Sequence, residues 1–154
     1  MLEYMPIFAV ILFLLFLLFR NMKVNATPIK QIKTVLSVSQ YAQYEQEIIN
    51  LANLESGYFT NTLSQKPIYN PFSMGVPRIR PSTRVGEYSN PDIDGGMEFS
   101  VYEDYAQATA DLLLYLQYIK MPLGLTCEKF NAYLASKGYS VVDDFDKRLN
   151  NMCK

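Results

Sequence analysis

The chain has 154 residues, a formal net charge of -1 and no histidine. The near-neutral charge gives no general electrostatic reason to expect nucleic-acid binding. The lack of histidine excludes Ser-His-Asp and Cys-His nucleophiles and histidine-ligated metals, so proton transfer would rely mainly on carboxylates, and we expect no metal or other cofactor. An apolar block near the start inflates the hydrophobic content of 49% and leaves roughly 120 residues for one soluble domain.

The apolar block runs from Met5 to Phe19 and carries no charge. As a helix it would cover about 22 Å of a bilayer core of about 30 Å, and Arg20 and Lys23 could extend the span toward the headgroups. We therefore predict a single membrane anchor over residues 1–24, in contact with the lipid bilayer. The alternative is a cleaved signal peptide, but basic residues follow the apolar run instead of preceding it.

The next predicted element is a short helix, because Thr27 can cap it and Pro28 suits its first position. Its apolar face is modest and consists of Ile29, Ile32 and Leu36. We interpret residues 25–38 as a juxtamembrane helix or stalk.

A longer helix is predicted from about Ser39 to Glu55, with Gly57 ending it in a left-handed conformation. Its apolar residues recur at steps of three or four and the stripe ends on an acid: Tyr41, Tyr44, Ile48, Ala52 and Glu55. A carboxyl on the apolar side of a helix is expected to have a raised pKa, which suits a general acid. The alternative is a helix-end glutamate whose side chain reaches solvent.

Prolines and glycines crowd the segment between Phe59 and Gly96, which predicts loops and a short hairpin. A strand is predicted over Glu98 to Val101. Three helices should follow: Asp104 to Lys120, Thr126 to Ser136 with Gly138 closing it, and Asp143 to Met152. Two cysteines, Cys127 and Cys153, could form one disulfide or remain free thiols.

This order of elements predicts an α+β, lysozyme-like domain over residues 39–154. It would be mainly helical with a small β-hairpin lobe, and a cleft would lie between the two parts. The candidate acid would lie where the first long helix ends.

Three short motifs occur in order along the chain: Leu54-Glu55-Ser56-Gly57-Tyr58, Asn70-Pro71-Phe72-Ser73-Met74 and Phe99-Ser100-Val101-Tyr102, followed by Ala110-Asp111. Together they resemble the glucosaminidase family of peptidoglycan hydrolases. The resemblance spans roughly Gln40 to Leu149. It implies that Glu55 is the catalytic acid, that Asn70 to Gly75 shape the substrate groove, and that Tyr102 lies near the acid, where we expect it to orient the substrate. Ser73 stands where the family motif has glycine and Gly75 where it has lysine.

A glycan groove needs flat aromatic platforms beside hydrogen-bonding groups. Candidate substrate-binding residues are Tyr58, Asn70, Phe72, Ser73 and Tyr88. The alternative interpretation is that the aromatic residues, including Tyr69, Phe99 and Tyr102, form the core of a small domain.

Glycoside hydrolysis usually employs a second carboxylate, and the resemblance places it in the hairpin ahead of Tyr102. The leading candidate is Glu87, with Asp92 as the next. Assistance by the acetamido group of the substrate, or transglycosylation, would need only Glu55. A basic strip of Arg78, Arg80 and Arg84 precedes the hairpin and is interpreted as a solvated loop face, with peptide-stem carboxylates as the alternative partner.

The resemblance and the anchor together predict a membrane-anchored peptidoglycan glycosidase that cleaves glycan strands, with an inactive lysozyme-like glycan-binding or structural protein as the alternative. Basic residues after the anchor favour a cytoplasmic domain, which conflicts with a wall substrate. A virus that takes a vesicle from the inner membrane of its host, inside the cytoplasm, would carry the cytoplasmic face outward beneath its capsid. This arrangement would resolve the conflict. The predicted location is therefore a bacterial envelope or the internal membrane of such a virion, where capsid or envelope proteins are candidate partners.

Overall fold

The computed structural model describes residues 26–89, 96–140 and 144–153. Within these ranges the α-helices are α1 (Pro28–Leu36), α2 (Glu45–Ser56), α3 (Tyr105–Tyr118), α4 (Cys127–Ser136) and α5 (Phe145–Asn150). The strands β1 (Gly86–Ser89) and β2 (Glu98–Val101) pair antiparallel. No helix in the described ranges is long and apolar enough to span a bilayer, and the anchor predicted over Met5 to Phe19 lies outside them.

Helix α1 begins as its sequence predicts, since the Thr27 hydroxyl accepts from the Lys30 amide and Pro28 occupies the first turn. It is not a stalk. Its residues Ile32 and Leu36 are fully buried in the main core, and the helix packs against α3. The domain therefore includes α1, whereas the sequence analysis had placed its start at residue 39.

Helix α2 follows a 3-10 turn at Ala42–Tyr44 and ends at Gly57, which adopts the left-handed conformation with a φ of 56°. The stripe residues Tyr41, Tyr44, Ile48 and Ala52 are all buried. The predicted stripe and the glycine cap are thus confirmed. Because the stripe faces the core, its last member, Glu55, reaches the edge where the core meets the loop lobe.

The lobe is a small sheet with the register Gly86↔Val101, Tyr88↔Phe99 and Ser89↔Glu98. The segment around Gly75 adds a bridge to Phe99 on the other side of β2. A separate apolar cluster of Leu63, Ile68 and Phe99, with Tyr88 and Val101 against it, supports this lobe. The predicted α+β arrangement of a helical body and a hairpin lobe is confirmed.

Of the two states that the sequence allowed for the cysteines, the structure has the disulfide, Cys127–Cys153, between residues 26 apart in sequence. It joins the start of α4 to the segment after α5. Replacing both cysteines by serine should lower the free energy of unfolding by roughly 3 kcal/mol, because the unfolded chain gains freedom. Urea unfolding of the two proteins measures the difference. Equal urea midpoints for wild type and the double variant would contradict this expectation.

Candidate active site

A cleft of about 520 Å³ opens beside the C-terminal end of α2. Glu55 lies in its wall and is partly buried. Around it the cleft is lined mainly by apolar and aromatic residues, including Leu63, Phe99 and Tyr139. Glu55 is the only ionisable acid among the described residues that line this cleft. The volume lies in the range usual for small-ligand sites.

The backbone around Glu55 is fixed by two neighbouring side chains. The Asn61 amide donates to the Glu55 carbonyl at 2.8 Å, and the Ser73 hydroxyl donates to the same oxygen at 3.4 Å. The buried Ser56 hydroxyl accepts from the Phe59 amide at 2.7 Å and holds the turn that follows. These contacts attach the end of α2 to the loop lobe, so the acid is held between the two parts of the domain.

Tyr139 is a cleft residue that the sequence analysis missed. It follows Gly138 after α4, and its hydroxyl donates to the Phe72 carbonyl at 2.7 Å. Burial, and then the negative charge of nearby Glu55, raise the pKa of Tyr139 well above its ordinary value of 10.0. The hydroxyl therefore stays protonated at neutral pH and remains a hydrogen-bond donor beside the acid. The sequence signal for Tyr139 is its place directly after Gly138, the glycine that closes α4, because an aromatic residue at such a turn can fold back onto the domain.

The Asn70 side chain holds a loop and does not face the cleft. It is fully buried and donates to the carbonyls of Met74 and Ser100 at 2.8 and 3.0 Å, while accepting from the Met74 amide at 2.9 Å. Phe72 is also almost completely shielded from solvent, but it is one of the residues that line the cleft. Of these two predicted substrate-binding residues, the structure therefore places Phe72 in the wall of the cleft, whereas Asn70 shapes the cleft only by holding the loop.

Ser73, the third predicted residue of this loop, also lines the cleft. Its φ is 49°, in the left-handed region that strongly favours glycine. This explains physically why a glycine would suit the position, as in the family motif that the sequence resembles. The serine hydroxyl uses the same position to contact the Glu55 carbonyl.

Tyr102 was predicted to orient substrate, but the structure buries it. Its exposed fraction is 1%, and its hydroxyl donates to Asp111 on α3 at 2.7 Å. Arg80 binds the same carboxylate in a bidentate manner, with distances of 2.9 and 3.0 Å, and the Thr83 amide adds a bond of 3.2 Å. Tyr102 does not line the cleft. It belongs instead to a buried hydrogen-bond network centred on Asp111.

Arg80 was interpreted as part of a solvated basic strip, and this is wrong. Its side chain is only 6% exposed and that of Asp111 is fully buried. The guanidinium also lies 5.7 Å from the ring centre of Tyr115, whose edge packs against Tyr139. Arg80 thus connects the loop before the hairpin to α3 and to the aromatic wall of the site.

The charge of Asp111 depends on these bonds. Burial raises the pKa of Asp111, whereas hydrogen bonds from Arg80 and Tyr102 lower it. Together with the positive charge of Arg80, these bonds outweigh the effect of burial, so the pKa lies below the ordinary value of 3.8. Burial, and then the charge of Asp111, raise the pKa of Tyr102. The carboxylate therefore stays ionised and the phenol protonated at neutral pH, which is the donor and acceptor arrangement observed.

A folded-state pKa below the unfolded value means that Asp111 contributes stability above about pH 4 and loses that contribution as the pH falls further. The difference in unfolding free energy between wild type and Asp111→Asn should therefore shrink below pH 4. Urea unfolding at pH 6, 4, 3 and 2 measures it. A difference that stays constant over this range would contradict the assignment.

Glu87, the leading candidate for a second carboxylate, does not line the Glu55 cleft. Glu87 is exposed, pairs with Arg84, and lines a neighbouring depression instead of the Glu55 cleft. Asp92 lies outside the described residues. Two aromatic candidates also differ from expectation, since Tyr58 is 70% exposed and is not among the residues lining the cleft, and Tyr88 packs against the lobe cluster.

Solved structures provide the comparison for this geometry, since the sequence matches no family model and no curated protein. The catalytic domain of the autolysin Auto from Listeria monocytogenes aligns with a TM-score of 0.56 at 20% identity, covering 80% of this chain and 77% of that one. A peptidoglycan hydrolase from Sphingomonas sp. A1 aligns with a TM-score of 0.57 at 19% identity, covering 79% and 80%.

The glycoside hydrolase domain of FlgJ from Salmonella typhimurium is a third similar structure. It aligns with a TM-score of 0.53 at 19% identity and covers 81% of this chain and 83% of that one. The chain has the fold of these peptidoglycan hydrolases. The lysozyme-like, glucosaminidase-type fold that the motifs predicted is therefore confirmed, while identities this low leave function to be argued from the site.

Proposed function

We propose that the protein is a peptidoglycan glycoside hydrolase in which Glu55 donates a proton to the oxygen of the glycosidic bond. The observation that carries this proposal is the position of Glu55, the only described acid in a cleft lined by apolar and aromatic residues. A protonated carboxyl in such surroundings can act as a general acid. The three hydrolases with this fold support a wall glycan as the substrate.

The cleft suits a sugar chain for a second reason. The partly buried Tyr139 offers a flat aromatic surface, and the Ser73 hydroxyl adds a polar group at the rim. The Tyr139 hydroxyl donates its one proton to the Phe72 carbonyl, so it fixes this part of the cleft and leaves its oxygen as an acceptor for a substrate hydroxyl. These groups hold and orient a sugar while Glu55 supplies the proton.

The step after protonation can follow one of two routes. In the first, a hairpin carboxylate, Glu87 or Asp92, activates water or stabilises the positive charge on the sugar. In the second, the acetamido or hydroxyl group of the substrate attacks the anomeric carbon as the glycosidic bond breaks, and Glu55 is the only enzyme carboxylate required. Glu87→Gln and Asp92→Asn, assayed separately, distinguish the two.

The proposal is tested by incubating the purified protein with purified peptidoglycan and identifying the soluble fragments by mass spectrometry. We expect fragments cut within the glycan strand. Reducing ends would indicate hydrolysis and anhydro ends would indicate transglycosylation. Glycan binding without fragment release would instead support the inactive, glycan-binding alternative.

We also propose that the enzyme is anchored in a membrane through Met5 to Phe19, in a bacterial envelope or in the internal membrane of a virion, where capsid or envelope proteins would be neighbours. The Cys127–Cys153 disulfide supports a final location outside the reducing cytoplasm. The basic residues after the apolar run instead favour insertion with the domain on the cytoplasmic side. Protease protection of the domain in vesicles of known orientation would decide whether it lies on the cytoplasmic side or on the opposite side of the membrane.

A further inference from the structure

On the side of the Glu55 cleft that faces Arg80, a first depression borders the cleft and a second borders the first. The first, of about 260 Å³, shares Ser73 and Tyr139 with the Glu55 cleft and reaches Arg80 and Tyr115. The second, of about 630 Å³, shares Arg80 with the first and extends along the start of β1. A substrate lying on Glu55 can therefore extend past Arg80 into this outer depression without leaving the surface.

The chemistry of the outer depression differs from that of the Glu55 cleft. Among the described residues that line it, none is aromatic, so it offers no flat platform for a sugar ring. It carries instead the charged side chains of Arg84 and Glu87, the Ser82 hydroxyl, and Val85, which is 54% exposed. Opposite charges beside a small apolar group suit a peptide better than a glycan.

The two exposed charges are free to be exchanged for those of a ligand. Arg84 and Glu87 pair with each other at side-chain exposures of 30% and 47%. Such exposed pairs contribute little to stability, so separating them costs little. Arg80, by contrast, is committed to Asp111 and lines both depressions where they meet.

We propose that this outer depression binds the peptide stem of the glycan, with Arg84 contacting a stem carboxylate, Glu87 a stem ammonium group, and Val85 an alanine methyl group. The inference rests on the proposed function, because it takes the glycan to lie on Glu55. It makes the enzyme selective for strands that still carry their peptides, which distinguishes wall glycan from unsubstituted polysaccharide.

The experiment compares kcat/KM of the full chain on intact glycan strands and on strands whose stem peptides have been removed by an amidase. Wild type should prefer the intact strands by about tenfold, the effect of one charge-assisted hydrogen bond. Arg84→Gln should bring this ratio close to one. Arg78→Gln is the matched control, because Arg78 is an exposed arginine of the same loop that lines a different depression, and it should keep the wild-type ratio.

Calorimetric titration of a free stem tetrapeptide separates this proposal from the proposed function. Binding to wild type and Arg78→Gln, with at least about tenfold weaker binding to Arg84→Gln, is expected. If the peptide binds in this pattern but neither glycan is cleaved, the hydrolase proposal fails and the stem site stands. Equal cleavage of both glycans by wild type, an unchanged ratio in Arg84→Gln, or no peptide binding overturns the stem site.

Discussion

Replacing Glu55 by Gln is expected to lower the rate of peptidoglycan cleavage by a factor of at least about 10² to 10⁴, because glutamine cannot donate the proton that the departing sugar oxygen needs. Clearing of a peptidoglycan suspension, with reducing ends quantified in parallel, measures the loss. The substitution keeps the size and polarity of the side chain. The thermal unfolding midpoint of the Glu55→Gln variant should therefore stay close to that of wild type.

Glu47→Gln is the matched control for this substitution. It makes the same Glu→Gln change in the same helix, about 12 Å farther along the helix axis from the cleft end. It should retain wild-type activity. If Glu55→Gln clears peptidoglycan at the wild-type rate, Glu55 is not the general acid. If both variants lose activity equally, the loss reflects the helix and not the proton.

The second large effect concerns stability. Asp111→Asn is expected to lower the free energy of unfolding by about 3 to 5 kcal/mol, because it leaves the buried Arg80 guanidinium without its counter-charge. Chemical denaturation at pH 7 gives the value. The change acts mainly on the junction between the loop before the hairpin and α3, so the lobe that borders the cleft should also become less protected in hydrogen exchange.

Tyr102→Phe provides the comparison within the same network. It removes one hydrogen bond to Asp111 and leaves those from Arg80 and Thr83 in place, so it should cost only about 1.5 kcal/mol. If Asp111→Asn costs no more than Tyr102→Phe, the ion pair with Arg80 is not the main stabilising contact of the network.

The sequence was sufficient for features that depend on local rules. The Thr27 cap, the Gly57 helix end and the apolar stripe of α2 follow from residues within a few positions of one another, and the structure has them where they were predicted. Because Glu55 continues that stripe, its place at the edge of the core could also be predicted. The order of the predicted elements then indicated the arrangement of helical body and hairpin lobe, and three motifs added the resemblance to a known family.

Features that depend on long-range contacts could not be predicted. Arg80 lies in a proline-rich loop that reads locally as solvated, and its partner Asp111 is 31 residues away. The same limitation explains Tyr102, whose position in a motif showed proximity to the site but not that Asp111 would bury and bind its hydroxyl. Tyr139 enters the cleft only because the chain turns back after α4.

The most direct test of the central claim is a crystal structure of the Glu55→Gln variant with a peptidoglycan fragment long enough to span the cleft. We expect the fragment to lie against Tyr139, with one glycosidic oxygen about 3 Å from the amide of residue 55. A fragment bound across a different face, or one whose glycosidic oxygens all lie beyond hydrogen-bonding distance of residue 55, would contradict the assignment of Glu55 as the proton donor.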